Sequence, residues 1–396
     1  MDSTASNLSG RRSLDARKVV GPKQIFATRV AFFVTGLGVS AWAPLVPFAK
    51  SRLMVDDATL GMLILCLGGG SVVSMPVCHQ IIRRIGCRAV ILLGVGLLAT
   101  ALPLLAFASS IPSMAVSLML FGAAIGFLDV AINVHALLVE KGTGKVLMSG
   151  FHGFFSVGGI VGSVIGSGLL SFGVQPLLVA CTMAIGAAAL AASAGKSMLA
   201  ESMRGAGGVG FALPHGAVVA MGLIGLCVFL VEGAMLDWSA LFLTVTKAFP
   251  ERLGGLGYTG FALAMAIGRL LGDVLARYLK PSVIVGIGGV CGAIGIALAL
   301  IAPSGALAIA GFLLTGAGCA NIVPVLFSAV GRQKAMEPGA AVAALTTMGY
   351  AGALAGPAAV GFVSHAVGLS AAFALLGGLL LAAAVGGWLL FNDSPA

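Results

Sequence analysis

Asp129 and Asn133 stand four residues apart in "GFLDVAINVHA" (126–136), a stretch that otherwise reads as a buried apolar helix. Four residues is about 40° of helical rotation, so the acid and the amide lie on one face. In hydrocarbon an ionised carboxylate costs at least about 2.5–3.5 kcal/mol, and such residues face a bundle interior or an aqueous cavity. A carboxyl group that meets water and a polar solute in turn can take up and release a proton, which is the requirement for proton coupling. The structural alternative is an aspartic acid kept neutral and hydrogen-bonded between helices.

Further polar groups lie in apolar surroundings. Glu232 and Asp237 are five residues apart in "EGAMLDWSALFL", about 140° round a regular helix, so they face different neighbours unless the helix breaks at Gly233. Glu232 is a second proton-carrying candidate; Asp237 fits either a solute pathway or a pairing at the helix end. Trp42 and Trp238 suit two roles, stacking on the C–H faces of a sugar or anchoring at the membrane interface. His152 in "SGFHGFF" and Tyr350 in "TMGYAGA" are candidate solute contacts, although a lone histidine also serves as hydrogen-bonded packing. Asn321 is a further candidate, and Pro324 after it can free a backbone carbonyl and bend its helix. His135 is six residues from Asp129 and off its face.

The elements that must carry these residues are set by composition. Of 396 residues 59% are hydrophobic and 9% charged, with a mean hydropathy of +1.11, against roughly a quarter charged in soluble domains. The chain is a polytopic membrane protein. Windows of about 20 apolar residues, enough to cross a bilayer, occur twelve times: 25–48, 58–82, 89–108, 112–139, 147–172, 175–195, 216–244, 256–279, 282–302, 306–330, 339–365 and 369–391. Asp129 therefore sits in span 4, Glu232 in span 7, Asn321 in span 10 and Tyr350 in span 11.

Short loops rich in lysine and arginine stay cytoplasmic. With the N-terminus inside, seventeen of the 22 basic residues are cytoplasmic and four external, and Arg269 is left within a span. Both termini are expected inside, and the net charge of +9 is topology, not a nucleic-acid footprint. Residues 1–24 read as a disordered cytoplasmic tail without a cleavage site. The seven cysteines, almost all within spans and with no C-x-x-C pair, read as packing residues. "GGGS" at 68–71 is not a nucleotide-binding loop, and no metal, cofactor or catalytic constellation emerges, so neither an enzyme nor an ATP-driven pump is expected.

The break at 196–215 divides a six-helix bundle at 25–195 from a second at 216–391, and the halves echo each other at roughly 195 residues, as in duplicated transporters. "FSVGGIVGS" matches "MGYAGALAGP", "FFVTGLGVSAWAPL" matches "FLVEGAMLDWSALF", and "GFLDVAIN" matches "GCANIVPV", which sets Asp129 opposite Asn321. Glycines spaced by four, as at Gly158, Gly162, Gly352 and Gly356, let helix backbones approach closely. Static packing and sliding contact would use them equally.

This organisation resembles the major facilitator superfamily over residues 25–391. Its loop signature after span 2 is matched in "HQIIRRIGCR" by Arg84, Gly86 and Arg88, while His79 stands in place of the leading glycine and Arg83 in place of the aspartate. The counterpart "GRLLGDVLARYLKP" keeps Gly268, Arg269, Gly272, Asp273 and Arg277. The resemblance implies gating roles for Arg84, Gly86, Arg88, Arg269, Asp273 and Arg277, with a charge-linked gate in the second half. "GFLDVAINVHALLVE", "SGFHGFFSVGGIVGS" and "EGAMLDWSALFL" are similar to the branch of fucose permease and the rhizopine-associated permeases, in which a carboxylate at the place of Asp129 serves proton-coupled sugar uptake. That branch's span 1 aspartate has no equivalent here.

The fold expected is all-α, twelve transmembrane helices in two pseudo-symmetric six-helix bundles. The function expected is proton-coupled transport of a small polar solute by alternating access, with sugar, polyol or amino-polyol cargo implied by the resemblance alone. The setting is a bacterial inner membrane and the partners are solute, protons and lipid, with no nucleic acid, no cofactor and a monomeric chain. Two alternatives stay open: a proton-antiport exporter of amphipathic compounds, for which Phe154 and Phe155 would suit an apolar ligand, and a non-transporting scaffold or sensor.

Overall fold

The computed structural model describes residues 20–55, 57–200, 213–249 and 256–392. Most of the expected tail and linker lies outside the described residues. Span 1 is Pro22–Ser40, continued after a break by Val46–Leu53; spans 2 to 6 are Asp57–Ile85, Cys87–Phe107, Ile111–Thr143, Met148–Ser171 and Pro176–Gly195. Spans 7 to 9 are Ala217–Leu241, Leu256–Tyr278 and Pro281–Ile301, span 10 is the pair Gly305–Cys319 and Ile322–Val330, and spans 11 and 12 are Pro338–Val367 and Leu369–Asn392. No strand occurs among the described residues. Eleven of these helices are long and apolar enough to cross a membrane. Span 1, with Lys23, Gln24 and Arg29 in its first half, makes the twelfth.

Local chemistry sets the starts. Prolines open spans 1, 6, 9 and 11, where the missing N–H has no partner to lose. Ser110 and Ser304 cap spans 4 and 10 with their hydroxyls, at equivalent places in the two halves.

One expectation needs correction. Span 1 does not run unbroken over 25–48: it starts at Pro22 and stops at Ser40, a short 3-10 turn Ala43–Leu45 follows, and the chain resumes as a separate helix. The "APLVP" run explains the break, since two prolines so close cannot continue one hydrogen-bond ladder. Span 7 is not interrupted at Gly233; it is helical to Leu241 and then widens into a π turn, Phe242–Thr246. Span 10, by contrast, is interrupted at Ala320–Asn321, just before Pro324.

Glycine contacts weld the helices of each bundle in pairs. A Cβ at Gly158 or Gly162 would strike the carbonyls of Phe33 and Leu37 on span 1, and one at Gly352 or Gly356 those of Leu226 and Leu230 on span 7. Gly122 meets the Leu67 carbonyl as Gly316 meets that of Phe261. These last contacts place the repeat at 194 residues in this region and set Leu128 opposite Ile322, each against a span-3 or span-9 glycine. Asn321 therefore corresponds to Phe127, not to Asp129. The alignment on Gly126 and Gly318 is two residues out of register.

The face at which span 1 begins and span 12 ends, here the terminal face, is where the two bundles lock together. His79 Nε2 of span 2 lies 3.1 Å from Glu337 Oε2, the N-cap of span 11. Gly150 N–H, in the first turn of span 5, donates to Asp273 Oδ1 of span 8 at 2.9 Å. Ser328 of span 10 donates to Glu140 Oε1 of span 4 at 2.9 Å, while Glu140 Oε2 accepts from the N–H groups of Leu147 and Met148 at 3.1 and 3.0 Å. A cavity of about 130 Å³ beside them is lined in part by Ser149, Pro324, Ser328 and Arg332.

At the opposite, far face, charge is spent within each bundle. Arg52 donates to the carbonyls of Leu105 and Ala108, both at 2.8 Å, closing the end of span 3. Lys247 donates to those of Leu300 and Ala302, at 2.7 and 2.8 Å, closing the end of span 9. The two cations are 195 residues apart in the sequence, one residue from the 194-residue register of the packing glycines.

Candidate functional site

Helical spacing in span 4 presents Asp129 and Asn133 together, with the Asn133 amide donating to the Asp129 carbonyl at 2.8 Å and to its Oδ1 at 3.1 Å. The Tyr350 hydroxyl, from span 11 of the other bundle, also hydrogen-bonds the Asp129 carboxyl. Since the Asn133 N–H groups are turned to Asp129, its Oδ1 is left to accept, and His152 Nε2 faces it at 3.1 Å. That pairing puts the imidazole proton on Nε2. The ring of His152 is held between Phe327 of span 10 and Phe32 of span 1, at centroid distances of 5.6 and 5.2 Å. Tyr350, Asp129, Asn133 and His152 thus form one chain across the two bundles.

A second cluster adjoins it. Arg269 of span 8 reaches Glu232 of span 7 through Nη2, at 3.2 Å to Oε1 and 3.5 Å to Oε2. Its Nη1 reaches Ser156 Oγ of span 5 at 3.3 Å, and its Nε reaches the Ala320 carbonyl at 3.4 Å, at the break in span 10. Arg269 is buried, whereas Asp129, Glu232, Tyr350 and Ser156 each keep part of their surface.

Of the residues assigned to gating, Arg269 lies apart from the terminal-face closure. Its guanidinium lies in the middle of span 8 against Glu232, one turn inward of Asp273, because four residues of helix carry it about 6 Å along the axis. Asp273 does sit at the terminal-face closure. Arg84 and Arg277 are exposed, Arg88 is half-buried, and Gly86 joins spans 2 and 3 with φ +84°, a left-handed conformation that suits glycine.

The remaining candidates are placed apart from the polar chain. Asn321 donates to the Gly268 carbonyl at 2.9 Å and packs its Oδ1 on Gly272, so its amide ties span 10 to span 8. Trp42 is buried at the break in span 1, and Trp238 lies half-buried against Gly361 of span 11. Asp237 is exposed, on another side of the continuous span 7 from Glu232. Phe154 carries the Arg29 guanidinium over its ring at 5.3 Å. His135 accepts the Leu199 N–H at 2.8 Å and faces Thr28 Oγ1 at 3.2 Å, tying the chain after span 6 to spans 1 and 4.

Comparison with known proteins fits this geometry. The family model for the major facilitator superfamily matches residues 30–196. An MFS-type transporter of Yersinia pestis is 47% identical over 365 residues, covering 92% of this chain and 95% of the relative. The chain belongs to the major facilitator superfamily. Within it, the membrane protein MosC of Rhizobium meliloti is 30% identical over 91% of this chain and 90% of its own length. Among solved structures, a single-substitution variant of the Escherichia coli fucose:proton symporter FucP superposes with a TM-score of 0.78 at 15% identity, over 94% of this chain and 98% of that one. The human organic anion transporter MFSD10 superposes with a TM-score of 0.73 at 18% identity, over 93% and 100%. The resemblance to the fucose permease and rhizopine-associated branch is thereby shown, and with it a multi-pass membrane transporter, not an enzyme.

Sequence reasoning missed Glu140, Glu337, Ser156 and His79 as parts of these clusters. Glu337 was within reach: "EPGA" is a helix start, an acid at the N-cap before proline. Ser156 carries no signal, since serine inside an apolar helix is commonplace.

Proposed function

We propose that this superfamily member is a proton-coupled secondary active transporter of a small polar solute of the sugar, polyol or amino-polyol class. Asp129 carries the coupled proton, and Asn133, Tyr350 and His152 hold it to the solute path. The single observation that supports this reading most is the company of Asp129. Its hydrogen-bond partners, Asn133 and Tyr350, are neutral, so the carboxyl is not locked to a cation and can exchange a proton as its surroundings change. One partner lies on each bundle, so relative movement of the bundles changes the groups around the acid.

In this reading the bundles 25–195 and 216–391 alternate around that site, in a bacterial inner membrane with both termini and the terminal face cytoplasmic, and the chain acts as a monomer. The closure at His79–Glu337, Gly150–Asp273 and Ser328–Glu140 then blocks the inner side and leaves access from outside. The likeness to a fucose:proton symporter supports the class of cargo.

The test is transport in proteoliposomes with an internal pH dye, screened with sugars and polyols. Wild-type protein should carry protons inward with one of them, and Asp129→Asn should exchange that solute without accumulating it. Normal accumulation by the variant would refute the assignment.

A further inference from the structure

The Arg269–Glu232 pair is incompletely satisfied for a buried ion pair. Charge-assisted bonds to a guanidinium are normally about 2.7–2.9 Å, and the strong form is bidentate, two N–H groups on two oxygens. Here both Glu232 oxygens crowd one nitrogen, Nη2, at 3.2 and 3.5 Å, and Nη1 and Nε make only the longer contacts to Ser156 and Ala320. Arg269 is 8% exposed, and its five N–H groups meet only four contacts, so one N–H on Nη1 stays uncommitted, while Glu232 accepts from no other donor among the described residues. The edge of the guanidinium that joins Nη1 to Nη2 lies between Ser156 of one bundle and Glu232 of the other.

The groups that face this pair are Tyr258 on span 8, Cys319 on span 10, Tyr350 on span 11 and His152 on span 5, with Asp237 one turn away on span 7. None of them supplies a second cation or a second carboxylate in contact with Arg269. A charge-only scaffold pair would leave that fork without purpose, because a buried ion pair repays its desolvation only when its hydrogen-bonding capacity is filled.

Resting on the solute path proposed above, we propose that the cargo is a small hydroxylated carboxylate, with its carboxylate bidentate on Arg269 and its hydroxyls toward Asp129, Asn133 and Tyr350. In the exchange a proton bonds to Glu232, which leaves Arg269, and the solute carboxylate takes its place; the guanidinium keeps one anionic partner throughout. A solute ammonium group is the poorer match. Beside Asp129 it would hold that carboxylate ionised and oppose proton uptake there, whereas hydroxyls leave it free to titrate.

The experiment is counterflow in proteoliposomes with labelled gluconate and glucuronate, against sorbitol and glucose. Gluconate should outcompete sorbitol by at least about tenfold, the worth of one charge-assisted hydrogen bond. Glu232→Gln cannot take up that proton, so it should remove the part of the pH dependence of gluconate binding that Glu232 carries and leave the part carried by Asp129. Arg269→Lys, which keeps the charge but not the fork, should weaken gluconate by about tenfold and leave sorbitol unchanged. The double variant Arg269→Gln/Glu232→Gln leaves no orphan charge and should lose gluconate counterflow while remaining monodisperse. Equal use of sorbitol and gluconate, or gluconate counterflow surviving in the double variant, would overturn the inference. Counterflow needs no proton gradient, so these failures leave the coupling role of Asp129 intact. Arg269-dependent gluconate exchange without proton-driven accumulation would instead refute that coupling and leave the cargo class standing.

Discussion

Asp273 of span 8 receives the Gly150 N–H at the first turn of span 5, and His79, 194 residues before it in the sequence, meets the N-cap of span 11. Corresponding positions in the two halves thus each grip the start of a helix in the opposite half. The positive end of a helix dipole favours the carboxylate directly in one case. In the other the dipole is already capped by Glu337, and a histidine completes the contact.

Asp273→Ala removes the acceptor from that helix start. The terminal-face closure should lose roughly 1.5 kcal/mol, a hydrogen bond to a charged group, and the open population should rise about tenfold. Spin-label distances between spans 5 and 8 would register the change. An unaltered distance distribution would show that the bond does not hold the closure.

Glu337 gives the second grip a pH dependence. Burial pushes its carboxyl up, but the His79 hydrogen bond and the N–H groups of Gly339 and Ala340 outweigh burial and hold it below the usual carboxylate range. A carboxylate depressed in the closed state stabilises that state at higher pH, and the contribution fades as pH falls through the depressed value. Closure between spans 2 and 11 should therefore loosen on acidification from about pH 4.3 downward, the ordinary glutamate value. Glu337→Gln should abolish the acid-dependent part of the distance change.

Asn133→Ala and Tyr350→Phe remove the two donors to Asp129, one from each bundle. Each should raise the solute concentration for half-maximal counterflow by about tenfold, near 1.4 kcal/mol. Because both act on one carboxyl, the double variant should depart from additivity by about 0.5 kcal/mol or more. Additive effects would mean that the two groups serve separate ends of the solute.

Gly158→Ala forces a methyl group onto the Phe33 carbonyl, whereas Gly96→Ala meets nothing within 4 Å. The first should destabilise the detergent-solubilised protein by about 1–3 kcal/mol, the cost of overpacking, and the second should leave its thermal midpoint unchanged. Fluorescence-detected size exclusion after heating distinguishes them.

How much of this is legible in the sequence depends on whether a relation runs along one helix or between two. The Asp129–Asn133 pair follows from helical spacing alone, and the twelve spans from apolar windows. Tyr350 and Asp129 are brought together from spans 4 and 11, and no pattern along either helix encodes that meeting. The motif around Arg269 draws it toward the gate because a motif fixes sequence neighbours, not depth; a turn of helix separates it from Asp273. A glycine match sets Asn321 opposite Asp129, and the break in span 10 hides that the packing glycines require a register two residues away.

The Arg52 and Lys247 braces carry a last implication. Each fastens a far rim to its own six-helix unit and neither crosses the divide. The mouth on that side can therefore widen or narrow without rupturing either clasp, and the halves can swing as preassembled blocks. A guanidinium in one half and an ammonium in the other do the same task at matching ends of spans 3 and 9.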